Sequence, residues 1–223
     1  MTHTPPEATE EATTEVDSPR RASLAQQRSR RTRRELVRAA MTLWTERGFE
    51  RGIEDTTVEE IAREAGVTKG TFYFHFAHKE DVLLEAGWGT SESMYAEVET
   101  WITAGRTGRE VLDDALASLA RRVDAAPKVA VFRIMTEFFR RPWDERMRRG
   151  HAFQHVFQRA IEQGRARGEL AASIDADQVA TILAAVTTDA VLMWASGEDL
   201  SLLEVLRFRA GLVMAGAAAL ANP

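Results

Sequence analysis

The residues with usable chemistry concentrate in one stretch, Thr68 to Phe76, "TKGTFYFHF". Four aromatics (Phe72, Tyr73, Phe74, Phe76) and His75 surround Gly70, and the stretch opens with Thr-Lys-Gly, which suits a solvent-facing helix start. So aromatic a segment belongs in a core unless one side of it faces a partner. Elsewhere the motifs of catalysis are missing. There is no GxSxG, P-loop, dinucleotide fingerprint or HExxH, and no cysteine to act as a nucleophile or metal ligand. His151 and His155 share a helix face at i and i+4, but no neighbouring acid completes a metal set. Neither an enzyme nor a bound cofactor or metal is expected.

The elements that must position this stretch are helices. "RRELVRAAMTLWTERGF" places Leu36, Ala39, Ala40, Leu43 and Trp44 at helical spacing and stops at Gly48. In "TTVEEIAREAG", Thr57 is an N-cap with Glu60 as its capping-box partner, and Gly66 ends the helix. Thr68 then caps a second short helix, in which Phe72 and Phe76 lie four apart and bury together. Two short helices around Ala65-Gly66-Val67 form a helix-turn-helix candidate, with Ala62 small enough for close approach. A longer helix follows from about His78. Five more are read at 108–125, 127–141, 144–167, 175–196 and 200–220, and no convincing strand appears.

"TTVEEIAREAGVTKGTFYFHFAHKEDVL" resembles the DNA-binding signature of the TetR (tetracycline-repressor-type) family of bacterial transcription regulators. Thr57, Ile61-Ala62, Ala65-Gly66-Val67, Thr68-Lys69-Gly70, Tyr73, His75-Phe76 and Lys79-Glu80 arrive in order and without gaps. The likeness is specific over roughly residues 30–90. It implies an all-α protein with an N-terminal three-helix DNA-binding domain (25–77) and a C-terminal helical effector-binding and dimerisation domain (78–223). It also implies a role for the open side of 68–75. Gly70 lets backbone approach the duplex, Lys69 supplies charge, Thr71 touches phosphate or a thymine methyl, and Tyr73 and His75 reach phosphate or base edges. Thr57, Thr68 and Lys79 stand at helix starts, where phosphate is favoured. Phe74 stays unassigned.

Net charge is −5, which speaks against nucleic acid until its distribution is read. Residues 1–17 carry five acids and no Lys or Arg; residues 20–38 carry eight arginines against Glu35 alone. The first 24 residues, poor in apolar side chains, are expected to be disordered. Some of Arg30, Arg31 and Arg33 are expected to touch flanking phosphates. The absence of cysteine, of a secretory signal and of an apolar run of about 18 residues suggests a cytoplasmic protein that does not engage membranes.

The C-terminal region would pair subunits and sense a ligand. Val179, Ile182, Val186 and Met193 share a broad apolar face. The last helix, with Leu206, Leu212 and Val213, is apolar nearly all round. A two-fold homodimer through these two helices per chain is expected. Trp101, Phe132, Met135, Phe139, Trp143, Phe153, Phe157 and Trp194 are candidates to line a mostly apolar cavity. Asp189, a lone acid in "AVTTDAVLM" and expected to be buried, would pair with an arginine across the dimer or a polar group on the effector. Arg148, His151 and His155 could equally hold an acidic effector. The function implied is a homodimeric repressor released from a palindromic double-stranded operator by a largely apolar small molecule. The alternatives are an activator, a protein-regulated factor of the same fold and, remotely, a helical enzyme.

Overall fold

A computed structural model describes residues 18–221, with side chains described outside 18–22, 143–152 and 221. The described residues form helices without a strand: α1 (Ser18–Glu46), α2 (Phe49–Asp55), α3 (Val58–Glu64), α4 (Lys69–His75), α5 (Asp81–Thr103), α6 (Gly108–Asp124), α7 (Lys128–Arg140), α8 (Trp143–Ala166), α9 (Ala176–Ala195) and α10 (Leu202–Ala221). The five long C-terminal helices begin and end within two residues of the spans read from the sequence.

Three N-terminal features differ from expectation. Helix α1 starts at Ser18, so residues 18–24 are helical where disorder was expected. Their Arg, Ala and Leu content favours helix without any tertiary burial, and low hydrophobicity alone conceals that. Residues 1–17 lie outside the described residues. Helix α2 was missed. It is seven residues long, has no side-chain cap, and is held by Phe49, Gly52 and Ile53 turned into the core. The following helix starts at Asp81 rather than His78, because the Asp81 carboxylate accepts the His78 N–H at 2.8 Å.

Packing forms two apolar clusters. The first gathers Leu36, Ala40 and Trp44 of α1, Phe49 and Ile53 of α2, Ile61 of α3, Phe72 and Phe76 around α4, Val82 and Leu83 of α5, and Ala130 of α7. The second is built from α5, α6, α8, α9 and α10 around Val98, Leu116, Phe157, Ile161 and Leu183, with Val131 of α7 at its edge. Adjacent residues of α7 therefore belong to different cores, which ties the two clusters through one helix.

Helix α9 is, by length and composition, apolar enough to cross a membrane, contrary to the reading of the sequence. Its inward face, Val179, Leu183, Thr187, Ala190 and Trp194, is buried within the chain, as in a core helix of a globular protein.

Candidate nucleic-acid interface

Local chemistry fixes the two short helices. Thr57 Oγ1 accepts the Glu60 N–H at 3.2 Å, and Glu60 returns the bond to the Thr57 N–H at 2.8 Å, closing a capping box. At the other end the Val67 N–H reaches the Ala62 carbonyl at 2.9 Å, with Gly66 between them at φ +69°. That left-handed residue suits glycine and turns the chain into α4. There Thr68 Oγ1 accepts the Thr71 N–H at 3.1 Å and shares a 2.9 Å hydrogen bond with the Thr71 hydroxyl.

Helix α4 divides by face. Phe72 is fully buried and Phe76 nearly so, with ring centroids 5.6 Å apart. Lys69, Gly70, Tyr73 and Phe74 are exposed, Phe74 most of all at 79%. A Cβ built on Gly70 would meet only the Thr68 hydroxyl, at 3.7 Å, so its surface is open. Thr71 and His75 are half-buried. Burial, reinforced by the Arg33 charge, lowers the His75 imidazole below its ordinary value. That shift favours the neutral ring, which can hydrogen-bond through either nitrogen. Its ring stands edge-on to Phe74, 5.1 Å between centroids.

The cations divide more sharply than the sequence suggested. Arg33 is turned inward. It pairs with Glu85 at 2.6 Å, donates to the His75 carbonyl at 2.8 Å and lies 4.4 Å from the Phe76 ring centroid. This corrects its reading as a phosphate contact, because its donors and its flat face are already engaged. Lys79 is likewise turned inward, its ammonium donating to the carbonyls of Glu54 at 3.0 Å and Thr56 at 3.2 Å. Arg31 is exposed and pairs with Glu35 at 2.8 Å, while Arg30 is exposed beside it. Lys69 forms an exposed ion pair with Glu59 of α3 and lies 5.9 Å from the Tyr73 ring centroid. Arg47 was missed: it holds Glu60 at 2.6 Å and the Thr56 hydroxyl at 3.1 Å, anchoring the capping box from α1's end. Its position just before Gly48, outside the helical pattern, hid that role.

The proposed ligand residues are not gathered in one place. Phe157 and Trp194 are buried core, and Trp101, Met135 and Phe153 pack half-buried against that core. The side chains of Trp143, Arg148 and His151 lie outside the described residues; His155 is exposed. Asp189 is not a buried acid. It is exposed on α9 and ion-paired at 2.6 Å with Arg209 of α10, which also donates to the Val186 carbonyl at 2.9 Å. A groove of about 560 Å³ between α7 and α9 brings together Phe132, Phe139 and Met193, with Thr136, Arg140, Leu192 and Ser196 that the sequence did not single out. Among the described residues no three His, Asp or Glu side chains cluster as metal ligands would.

The face assigned to subunit pairing also needs correcting. Val179 and Leu206 are buried within their own chain, because each lies on the stripe that closes the α9–α10 core. Ile182 and Leu212 are 49% and 60% exposed, and Val186, Met193 and Val213 are half-buried beside them. Phe208 and Leu220, missed in a helix apolar on every side, are exposed as well.

Residues 36–86 match the family described as bacterial regulatory proteins, tetR family. The chain is 35% identical over 106 residues to the transcriptional regulator TcmR of Streptomyces glaucescens, covering 48% of this chain and 45% of that protein. It is 36% identical over 78 residues to the regulator AcrR of Shigella flexneri, covering 35% and 34%. The matched stretch thus spans less than half the length of these curated relatives. A solved structure of Thermus thermophilus FadR, a TetR-family transcriptional repressor in complex with lauroyl-CoA, superposes with a TM-score of 0.70 at 26% identity. That superposition covers 82% of this chain and 94% of that one. The capped helix-turn-helix of α3 and α4 thus lies in the stretch that matches the tetR family of bacterial regulatory proteins, and the all-helical body that carries it resembles the fold of a TetR-family repressor.

Proposed function

We propose that the protein is a cytoplasmic, homodimeric transcriptional repressor that binds a palindromic duplex operator and leaves it when a small molecule binds. The observation that carries this reading is the two-sidedness of α4. Phe72 and Phe76 fix it to the core, and Lys69, Gly70, Tyr73 and Phe74 are left open on the other side. A rigid helix with an open polar and aromatic face is suited to a major groove. In this reading residues 25–77 form the DNA-binding unit. Lys69 and Arg30 serve phosphates, Thr57, Thr68 and Thr71 position the backbone, and Tyr73, Phe74 and His75 meet base edges or phosphates.

Two copies would pair through the exposed apolar side of α9 and α10, Ile182, Phe208 and Leu212, which the chain itself leaves uncovered. The groove between α7 and α9 is the candidate effector site. Its apolar lining of Phe132, Phe139, Leu192 and Met193, with Arg140 beside it, favours a molecule with an apolar body and an anionic end. Lauroyl-CoA, bound by the Thermus relative, is such a molecule.

Selection of bound duplexes from a random pool tests the DNA reading: a palindrome of two half-sites is expected. Tyr73→Ala and Phe74→Ala should weaken binding to that duplex with little change in thermal unfolding, because Phe74 is mostly exposed and Tyr73 half so. Phe72→Ala should instead unfold the domain, at about 3–5 kcal/mol. Recovery of no duplex, or wild-type binding by both exposed variants, would reject α4 as the reading element. Lauroyl-CoA serves as an effector probe. By linkage, a ligand that releases the duplex must bind less tightly in its presence, by the same factor.

A further inference from the structure

The basic groups around α4 are compensated within the chain. Arg33 is held by Glu85, Arg47 by Glu60 and Lys79 by two backbone carbonyls, and these contacts join segments distant in sequence. Lys69, the one Lys or Arg of α4, is compensated differently. Its partner Glu59 lies on the neighbouring helix, and both side chains are more than half exposed, at 53% and 56%. Glu59 is also free of the capping duty performed by Glu60. An exposed pair of this kind contributes little to the fold and can open at small cost.

We propose that Glu59 tunes the affinity of the DNA site by holding Lys69 in an ion pair that must open before Lys69 can reach a phosphate. This rests on the reading of α4 as the DNA-reading helix. The cost of opening the pair falls on any duplex whose phosphate Lys69 contacts, so operator and random sequences bear it alike. While Glu59 keeps Lys69, that lysine neutralises no phosphate and releases no ion from the duplex. Without Glu59, Lys69 is free to add one phosphate contact, about 0.9 in the logarithmic salt slope.

The test measures binding by wild type, Glu59→Gln and Glu59→Ala to two labelled duplexes across a salt series. One duplex has random sequence and the other is recovered from a random pool. Asp124→Asn, the same change of net charge on a remote exposed residue of α6, is the control. Both Glu59 variants should bind the random duplex roughly fivefold more tightly, the upper range for releasing an exposed pair. Their salt slope should steepen by about 0.9. The recovered duplex should gain by a similar factor, since the same phosphate contact is made in both, and Asp124→Asn should match wild type. The inference is overturned if the Glu59 variants share the wild-type slope and affinity, bind more weakly, or are matched by Asp124→Asn. If wild type binds the recovered duplex in any of those cases, only the role of Glu59 falls. If no protein binds either duplex at low salt, the DNA reading falls with it.

Discussion

Arg33 of α1 and Glu85 of α5, fifty-two positions apart, meet at 2.6 Å with each side chain 24% exposed. The same guanidinium donates to the His75 carbonyl at the end of α4, so one side chain joins three helices. An arginine in a run of arginines thus acts as the clamp that sets α4 against the rest of the molecule.

Arg33→Ala should therefore destabilise the protein by about 2 kcal/mol, the scale of charge-assisted hydrogen bonds lost from a largely buried site. Arg31→Ala, which removes an exposed i,i+4 pair, should cost no more than about 0.5 kcal/mol. Urea unfolding of the two variants checks this. Equal midpoints would mean that Arg33 does not clamp α4.

Glu60 predicts the acid behaviour of the helices around α3. Its hydrogen bonds from Arg47, and then those from Thr57, lower the Glu60 carboxyl from 4.5 to about 2. A depressed carboxylate stabilises the fold above its unfolded value and loses that contribution as pH falls toward the folded one. Stability should thus decline between about pH 4.5 and pH 2. Glu60→Gln should lower stability at pH 7 and flatten that decline, as read from melting temperatures across the acid range.

Two glycine substitutions should act in opposite directions. A Cβ on Gly52 would stand 2.6 Å from the Trp44 carbonyl oxygen, since α2 crosses α1 backbone to backbone there. Gly52→Ala should cost about 1–3 kcal/mol through forced separation of the two helices. On α5, a Cβ at Gly89 meets nothing within 4 Å, so Gly89→Ala should stabilise by up to about 1 kcal/mol through helix propensity. Denaturant midpoints of both variants settle the comparison.

Subunit pairing can be separated from folding on α9 and α10. Ile182→Asp and Leu212→Asp place charge on exposed apolar positions, so they should yield folded monomers by sedimentation. Leu206→Asp places charge in the chain's own core, and its helical signal should be lost instead. Dimers that persist in both exposed variants would move the interface elsewhere.

The fold class and the DNA-binding motif were written into the sequence. Thr57 with Glu60, Gly66 after Ala65, and Thr68 before Lys69 are local instructions, because capping and turn geometry depend on residues three or four apart. Phe72 and Phe76 at i and i+4 likewise announced a buried face. What the tertiary structure alone decided is where each charge goes. Arg30, Arg31 and Arg33 are indistinguishable in a basic run, and the position of Glu85 is what turns one of them inward. Lys79 and Lys69 look alike beside a helix start, until the carbonyls of Glu54 and Thr56 take one and Glu59 takes the other. Helix periodicity marked α9 and α10 as apolar on more than one side but not which side the chain itself covers. Val179 and Ile182 differ only in which neighbour packs on them. Ion pairing and burial are long-range properties, and a sequence pattern reports the few residues on either side.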